Sequence, residues 1–241
     1  MTEPIYISII LPVYNQADHL VSIVKSYLSA LESFKHSFEI LLVVNAGKDE
    51  SLNVAGQLAA EHAAVKVYFN ELAGWGRAVR RGLREAKGQL VCYTNSARTS
   101  PHVLVMMLSY ALANPGDIIK ANRRLRYPII RRAGSVLYNF QCRFLFRLAG
   151  WDLNGTPKVF SRELIEKLDL QENGDLIDLE FIVKAKIHNL PIIEIPIVSA
   201  ERHSGKSTTN FGSALKLYSG AFRLWLIYRN QLSLMQGPHQ Q

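Results

Sequence analysis

Two apolar periods alternate along the chain. Ile5 to Val13 (IYISIILPV) is a near-continuous run rich in Ile and Val that meets Pro12 and passes into Tyr14-Asn15-Gln16. Such a run predicts a strand buried on both faces. Leu20, Ile23, Val24, Tyr27, Leu31 and Phe34 then recur at helical spacing. Glu39 to Val44 predicts a second strand, which runs into Asn45-Ala46-Gly47-Lys48-Asp49, where Gly47 can supply a turn with positive φ. A helix through Val54 and Leu58 and a strand over 65–69 follow. This strand and helix rhythm implies a parallel sheet with right-handed crossovers.

Ala73-Gly74-Trp75-Gly76-Arg77-Ala78 opens another helix, with Val79, Gly82, Leu83 and Ala86 along one face and Gly88 as its C-terminal cap. A strand from Gln89 to Tyr93 delivers the loop Thr94 to Ser100, and Pro101 starts a helix through Val103, Leu104, Met107, Leu108 and Ala111. The pattern then predicts a strand over 117–121, a loop over 122–128, and a helix whose Val136, Phe140, Phe144 and Leu148 form a core-facing stripe. Beyond lie a strand over 154–160, a short helix capped by Ser161, a helix over 175–189, a strand over 192–198, a polar loop over 200–210 and an amphipathic helix over 211–228. One domain over 1–230 with a disordered tail over 231–241 is the expected organisation.

With 241 residues, 48% hydrophobic and 20% charged, the chain has globular proportions, which excludes a disordered or fibrous class. Cys92 and Cys142 cannot form a disulfide framework, and both sit among apolar residues as buried thiols of a reducing compartment do. No apolar run approaches the roughly 18 residues that cross a bilayer, so a cytoplasmic protein, soluble or peripheral at the inner face of a membrane, is expected.

The net charge of +8 changes the picture because it is uneven. Between Ile118 and Trp151 stand Lys120, Arg123, Arg124, Arg126, Arg131, Arg132, Arg143 and Arg147, with no Asp or Glu. Such a block suits phosphates, or is simply a solvated basic face. Its aromatics fall at core-helix spacing rather than as an exposed stacking platform, so nucleic acid is not an expected partner.

Two nucleotide motifs fail on inspection. A dinucleotide fingerprint around Gly74 and Gly76 needs a third glycine where Val79 stands, and a P-loop around Gly205-Lys206-Ser207 needs one where Ala200 stands. What does fit is an order of motifs across residues 5 to 230. Leu11-Pro12-Val13-Tyr14-Asn15, the helix-opening Gly74-Trp75-Gly76-Arg77-Ala78 with Gly82, Ala86 and Gly88, and the late loop Arg202-His203-Ser204-Gly205-Lys206-Ser207 occur in that sequence. In this the chain resembles family 2 of the glycosyltransferases, of the GT-A fold, and especially polyprenyl-phosphate sugar synthases of the dolichol-phosphate mannose type. The resemblance implies a single α/β nucleotide-diphospho-sugar transferase domain, with a mostly parallel central sheet flanked by helices.

Two departures from that family are plain. Where it carries Asp-Asp-Gly-Ser after the second strand, this chain has Asn45-Ala46-Gly47-Lys48; where it carries Asp-x-Asp after the fourth, this chain has Thr94-Asn95-Ser96. Mg²⁺ in nucleotide sites takes one or two carboxylates beside the phosphates. With neutral groups in their place no metal cofactor is expected, although Mg²⁺ or Mn²⁺ is what the family uses. A leaving nucleoside diphosphate still needs its charge met, which Lys48, Arg98, Arg123, Arg202 or Lys206 could do.

The resemblance implies a nucleotide-sugar donor held by Pro12, Tyr14, Asn45, Lys48, Thr94, Asn95, Ser96, Arg202, Lys206 and Ser207. It implies a lipid-phosphate or glycan acceptor near Arg123, Arg131 and Arg132. Asp178 or Glu180 would take the proton of an acceptor hydroxyl; alternatively Asp178 is a helix cap and Glu180 a surface residue. The stripe Phe211, Leu215, Phe222 and Trp225, with Lys216, Arg223 and Arg229, packs on the domain or lies on an anionic membrane. The expected activity is inverting glycosyl transfer; the alternative is a catalytically inactive binding module of the same fold acting through a partner.

Overall fold

The computed structural model describes residues 4–125, 129–198 and 211–234. Its first half alternates β1 (Ile7–Val13), α1 (Ala17–Glu32), β2 (Phe38–Asn45), α2 (Ser51–Glu61), β3 (Val65–Asn70), α3 (Trp75–Glu85), β4 (Leu90–Tyr93) and α4 (Pro101–Ala113). Its second half runs β5 (Ile118–Leu125), α5 (Ile129–Phe146), β6 (Lys158–Ser161), α6 (Leu164–Leu168), α7 (Ile177–Ile187), β7 (Ile192–Val198) and α8 (Phe211–Leu234). The strands form one sheet in the order β3-β2-β1-β4-β6-β5-β7. Only β6 runs against its neighbours β4 and β5; the remaining pairs are parallel.

Every residue of β1 is buried, as its unbroken apolar run requires. One face of the sheet packs Leu20, Val24, Tyr27, Leu104 and Met107 from α1 and α4 with Ala55 and Leu58 from α2. The other packs Val79 and Leu83 of α3, Tyr138 and Cys142 of α5, Leu179 and Val183 of α7 and Leu224 of α8. The chain leaves β1 outward through β2 and β3 and returns to β4 on the other side. That reversal opens a crevice at the carboxyl ends of β1 and β4, where open α/β sheets hold ligands.

Several boundaries move. β5 continues to Leu125, so the expected loop begins as strand, paired with β7 through Arg123 and Ile197. β6 starts only at Lys158. The short helix opens at Glu163, which offers no side-chain cap, and not at Ser161. α8 continues to Leu234, with Leu232 buried, past the expected start of the tail; residues 235–241 lie outside the described ones. Gly88 does not cap α3 in the left-handed region: a Cβ there would stand 2.5 Å from the Ser8 amide nitrogen, so the glycine lets the chain cross β1 closely. Gly47 is likewise needed for space, because its Cβ would meet Asn15 Oδ1 at 2.4 Å; the positive φ in this pair of loops belongs to Asn15.

The largest correction concerns α5. Phe140 is 66% and Phe144 77% exposed, with Val136 also outward, while Tyr138, Cys142 and Phe146 face the core. Of the expected stripe only Leu148, beyond the helix end, is buried. α5 is apolar on two sides, and periodicity alone cannot say which side the sheet covers. Both cysteines are free and buried, as expected.

Candidate functional site

Three loops meet at the carboxyl edge. Asn15, after β1, accepts the Lys48 amide on Oδ1 at 2.8 Å, tying it to the loop after β2. Gln16 Oε1 accepts the Ser96 hydroxyl at 2.7 Å, tying it to the loop after β4. Asn45 is buried at the end of β2, where its amide accepts from Asn70 at 3.1 Å and donates to the Gly74 carbonyl at 3.3 Å. The structure thus brings Pro12, Tyr14, Asn45, Lys48, Thr94, Asn95 and Ser96 to one edge, with Tyr14 and Lys48 exposed and Pro12 inside β1.

The loop after β4 is closed on itself. The Thr94 and Thr99 hydroxyls are 2.7 Å apart, and Asn95 Oδ1 accepts the Ala97 amide at 3.1 Å. Thr94 and Ser96 are buried. These neutral, already engaged oxygens do not fit a hard divalent cation, which wants anionic oxygen.

Beside this edge lies a group that the sequence reading only half anticipated. Asp178, in the first turn of α7, is buried and is no cap: its Oδ2 accepts the Trp75 indole N–H at 3.1 Å, and its Oδ1 accepts the Tyr93 hydroxyl at 2.9 Å and the Lys158 ammonium. Trp75 arrives from the start of α3, Tyr93 from the end of β4 and Lys158 from the start of β6, so three elements converge on one carboxylate. Tyr93 meets Phe160 and Phe181 edge-on, with centroids 6.3 and 6.0 Å apart, and the two phenylalanines pack tilted at 5.1 Å. A carboxylate has about four lone-pair sites, and among the described residues three are used here, which leaves one on Oδ2.

Lys158 is fully buried, and burial depresses its pKa to about 8, with Asp178 pulling it back up and Lys120 and Arg123 pushing it further down. Lys120 stands directly opposite it in the β5–β6 pair, bound to Glu194 at 2.7 Å. Burial and the Asp178 charge also hold the Tyr93 phenol well above its ordinary range, so it is a donor at neutral pH.

Two expected assignments change. Glu180 is neither on the surface nor available as a base: its oxygens accept the Gln171 and Glu172 amides at 2.8 to 3.0 Å, the Tyr228 hydroxyl at 3.1 Å and Lys184 at 3.2 Å. It clasps the segment before α7, and α8, onto α7. Arg123 is not free for an acceptor phosphate, because its Nε and Nη2 grip Asp152 bidentately at 2.7 Å and Nη2 also reaches the Asn154 carbonyl. Arg131 and Arg132 fall in α5, but their side chains lie outside the described residues, as do Arg202, Lys206 and Ser207. Arg98 has a partner of its own.

Trp75, Tyr93 and Lys158 were not singled out from the sequence. Lys158 had a signal: it is the one charge between Pro157 and the apolar Val159-Phe160, and Lys120 after Ile118-Ile119 has the same look. Arg77, read only as motif, is half-buried near the start of α3 with no ion pair among the described residues.

This architecture superposes on glucosyl-3-phosphoglycerate synthase from Mycobacterium tuberculosis, solved with Mn²⁺, UDP and phosphoglyceric acid. The TM-score is 0.73 over 91% of this chain and 78% of that one, at 16% identity. The fold is thus that of the GT-A glycosyltransferases. The family model described as glycosyl transferase family 2 matches residues 8–169, and the chain belongs to that family. Glycosyltransferase AglD of Haloferax volcanii is 28% identical over 202 residues, 79% of this chain and 32% of AglD. An undecaprenyl-phosphate 4-deoxy-4-formamido-L-arabinose transferase of Enterobacter sp. is 26% identical over 216 residues, 88% of this chain and 64% of its own. The chain therefore spans between about a third and just under two thirds of these relatives' lengths. Among the described residues, no helix is long and apolar enough to cross a membrane.

Proposed function

We propose that this domain transfers a sugar, with inversion, from a nucleotide donor to a lipid phosphate or a glycan hydroxyl, without a divalent metal held by protein carboxylates. The observation that carries the reading is Asp178: three elements deliver donors to a buried carboxylate at the ligand edge of the sheet and leave one lone pair open. A surface relic has no physical need of such a cage. The relative named for undecaprenyl-phosphate transfer supports a lipid-phosphate acceptor.

In this reading the exposed Tyr14 and Lys48 contact the nucleoside, Pro12 and the buried, hydrogen-bonded Asn45 shape the floor beneath it, and the diphosphate lies before Thr94, Asn95 and Ser96. The acceptor oxygen attacks the anomeric carbon, the carbon–oxygen bond to the diphosphate breaks, and the nucleoside diphosphate leaves with the bonding pair. A hydroxyl acceptor gives its proton to Asp178 Oδ2; a phosphate acceptor is already anionic and needs no base. Lys48, Arg77, Arg202 and Lys206 meet the leaving charge in place of a cation.

A peripheral contact with the inner face of a membrane belongs to the same proposal, and α5 now supports it better than the α8 stripe alone. Val136, Phe140 and Phe144 face outward from a stretch of sequence with no acid and eight cations, of which Lys120 and Arg123 are spent on Glu194 and Asp152. A second reading, the binding module, draws on the closed loop after β4, whose hydroxyls are spent on Thr99 and Gln16. Calorimetric titration of UDP- and GDP-sugars, with and without Mn²⁺, separates these. Binding only with Mn²⁺ would sink the metal-free site, and no binding of any nucleotide would favour the module. Transfer that survives EDTA but is lost in Arg202→Ala would support the enzyme.

A further inference from the structure

A cavity of about 370 Å³ lies on the same face of the sheet as the Asp178 cage, over β5 and β7 and beneath the far end of α7. Strand register fixes its place. Tyr93, Lys158, Lys120 and Glu194 stand opposite one another across β4, β6, β5 and β7, in a single rung. The first two belong to the cage, and the last two line the cavity. Glu194 is thus two strands from Lys158, about 10 Å, with the buried Lys120 between them.

The cavity walls are apolar. Leu148 and Leu153 come from the segment after α5, Ile182 and Leu190 from α7 and the turn beyond it, and Ile192 from β7. The polar floor is closed. Lys120 Nζ donates to the Trp151 and Asp152 carbonyls at 2.9 and 3.1 Å and to Glu194 at 2.7 Å. Glu194 in turn accepts from Asn122 at 2.9 Å and from the Trp151 amide at 3.3 Å. Gly150 lets the chain close over that carboxylate, since a Cβ there would stand 2.4 Å from Glu194 Oε1.

The rim is different. Arg147 and Lys186 stand there, so the lining holds three cations against one carboxylate. Lys186 Nζ donates to the Phe146 and Arg147 carbonyls, which leaves one of its three N–H bonds among the described residues. Burial and the neighbouring Arg147 charge hold its pKa below the ordinary range. Two cations that repel each other beside an apolar pocket favour an anion between them. Mostly apolar walls with a few fixed polar groups, in about this volume, are the make-up of small-molecule sites.

We propose that this cavity binds a small amphipathic anion. A short apolar chain or ring lies against the leucine and isoleucine walls, and a phosphate or carboxylate head lies between Arg147 and Lys186. The site is separate from the nucleotide edge and does not depend on the transferase reading.

Calorimetry with octyl phosphate and octanoate, each below its micelle-forming concentration, tests this and tells a phosphate head from a carboxylate. Saturable binding of at least one is expected, with inorganic phosphate, acetate and octanol each at least about tenfold weaker, because head or chain alone makes only part of the contacts. Arg147 has a φ of 51°, in the left-handed region that asparagine tolerates, so Arg147→Asn removes the cation and keeps the chain path. It should weaken the octyl probe at least about tenfold with Tm within a few degrees of wild type. Ala149→Phe, at an exposed position on the rim, blocks the chain and should do the same. Three results overturn the proposal: no binding of either octyl probe, equally tight binding of inorganic phosphate or octanol, or octyl binding untouched by the two variants, which would put the probe in the transfer cleft or on the outer face of α5. A fall of many degrees in the Tm of Arg147→Asn also overturns it, since the guanidinium would then be structural.

Discussion

Asp178 and Glu180 are two residues apart on α7, both buried, yet only Asp178 keeps a lone pair open. Glu180 is saturated by two backbone amides, Tyr228 and Lys184, whereas Asp178 holds Trp75, Tyr93 and Lys158 and stops there. Within one helix turn, one carboxylate is thus saturated as a clasp and the other keeps an acceptor site among the described residues.

The division predicts different losses. Glu180→Gln strips charge-assisted bonds from the segment before α7 and should cost about 2–3 kcal/mol of stability. With a hydroxyl acceptor it should leave kcat nearly intact where the protein is folded. Asp178→Asn also costs stability, since Lys158 loses its counter-ion, but with the same hydroxyl acceptor it should lower kcat at least about 10²-fold at the same temperature. Denaturant midpoints beside initial rates decide; equal kcat losses in the two variants would remove Asp178's special role.

Lys158 makes a prediction about pH. Its folded pKa of about 8 lies below the ordinary 10.5. Below pH 8 both folded and unfolded chains carry the proton, and the cost of burying the charge is fully present. Above pH 8, and up to about 10.5, the unfolded chain binds that proton more tightly, so the Lys158 contribution rises with pH. Burial raises the pKa of the Cys92 and Cys142 thiols, and these pull stability the opposite way above about pH 9. The readout is therefore a difference: wild type should gain on Lys158→Met/Asp178→Leu between pH 7.5 and 9 (roughly the lower half of the window). Lys158→Met alone leaves a buried anion and should cost about 3–5 kcal/mol, with the double variant recovering much of it. Parallel pH curves for wild type and double variant would show that Lys158 does not titrate there.

The sheet was legible because β1 and β2 are unbroken apolar runs and α1 keeps a single apolar face; such patterns admit one reading. The motif order around Pro12, Gly74 and Thr94 pointed to the carboxyl edge of the sheet as well. The Asp178 cage was not legible, because Trp75, Tyr93 and Lys158 come from positions 83 or fewer residues apart only through strand order, and strand order is a long-range property. Arg123 misled for the same reason: a cation in a basic block looks free until Asp152, 29 residues later, folds onto it. α5 misled because both of its faces are apolar, and only the packed structure says which one the core takes.

Arg123 should behave as a strut. Arg123→Ala leaves the buried Asp152 carboxylate without its bidentate partner and should cost about 3–5 kcal/mol. The acceptor KM of the folded fraction should hardly move. Arg123→Ala/Asp152→Ala should recover part of the stability. A large rise in acceptor KM with stability unchanged would instead return Arg123 to the acceptor site.

The outward face of α5 can be tested without touching the core. Phe140 and Phe144 are among its most exposed apolar side chains, so Phe140→Asp/Phe144→Asp should leave Tm within a few degrees of wild type. On a membrane the same change removes two aromatic anchors and sets two anions against anionic lipid. Partition onto vesicles of phosphatidylglycerol and phosphatidylcholine should fall more than about tenfold, given roughly 1.5–3 kcal/mol for full burial of one such side chain. Wild-type partition should also weaken with salt, because the flanking cations act through screened attraction. Sedimentation with vesicles at low and high salt measures both effects. If wild type fails to sediment, or the aspartates change nothing while Tm holds, the exposed phenylalanines await a protein partner and the lipid surface is the wrong occupant.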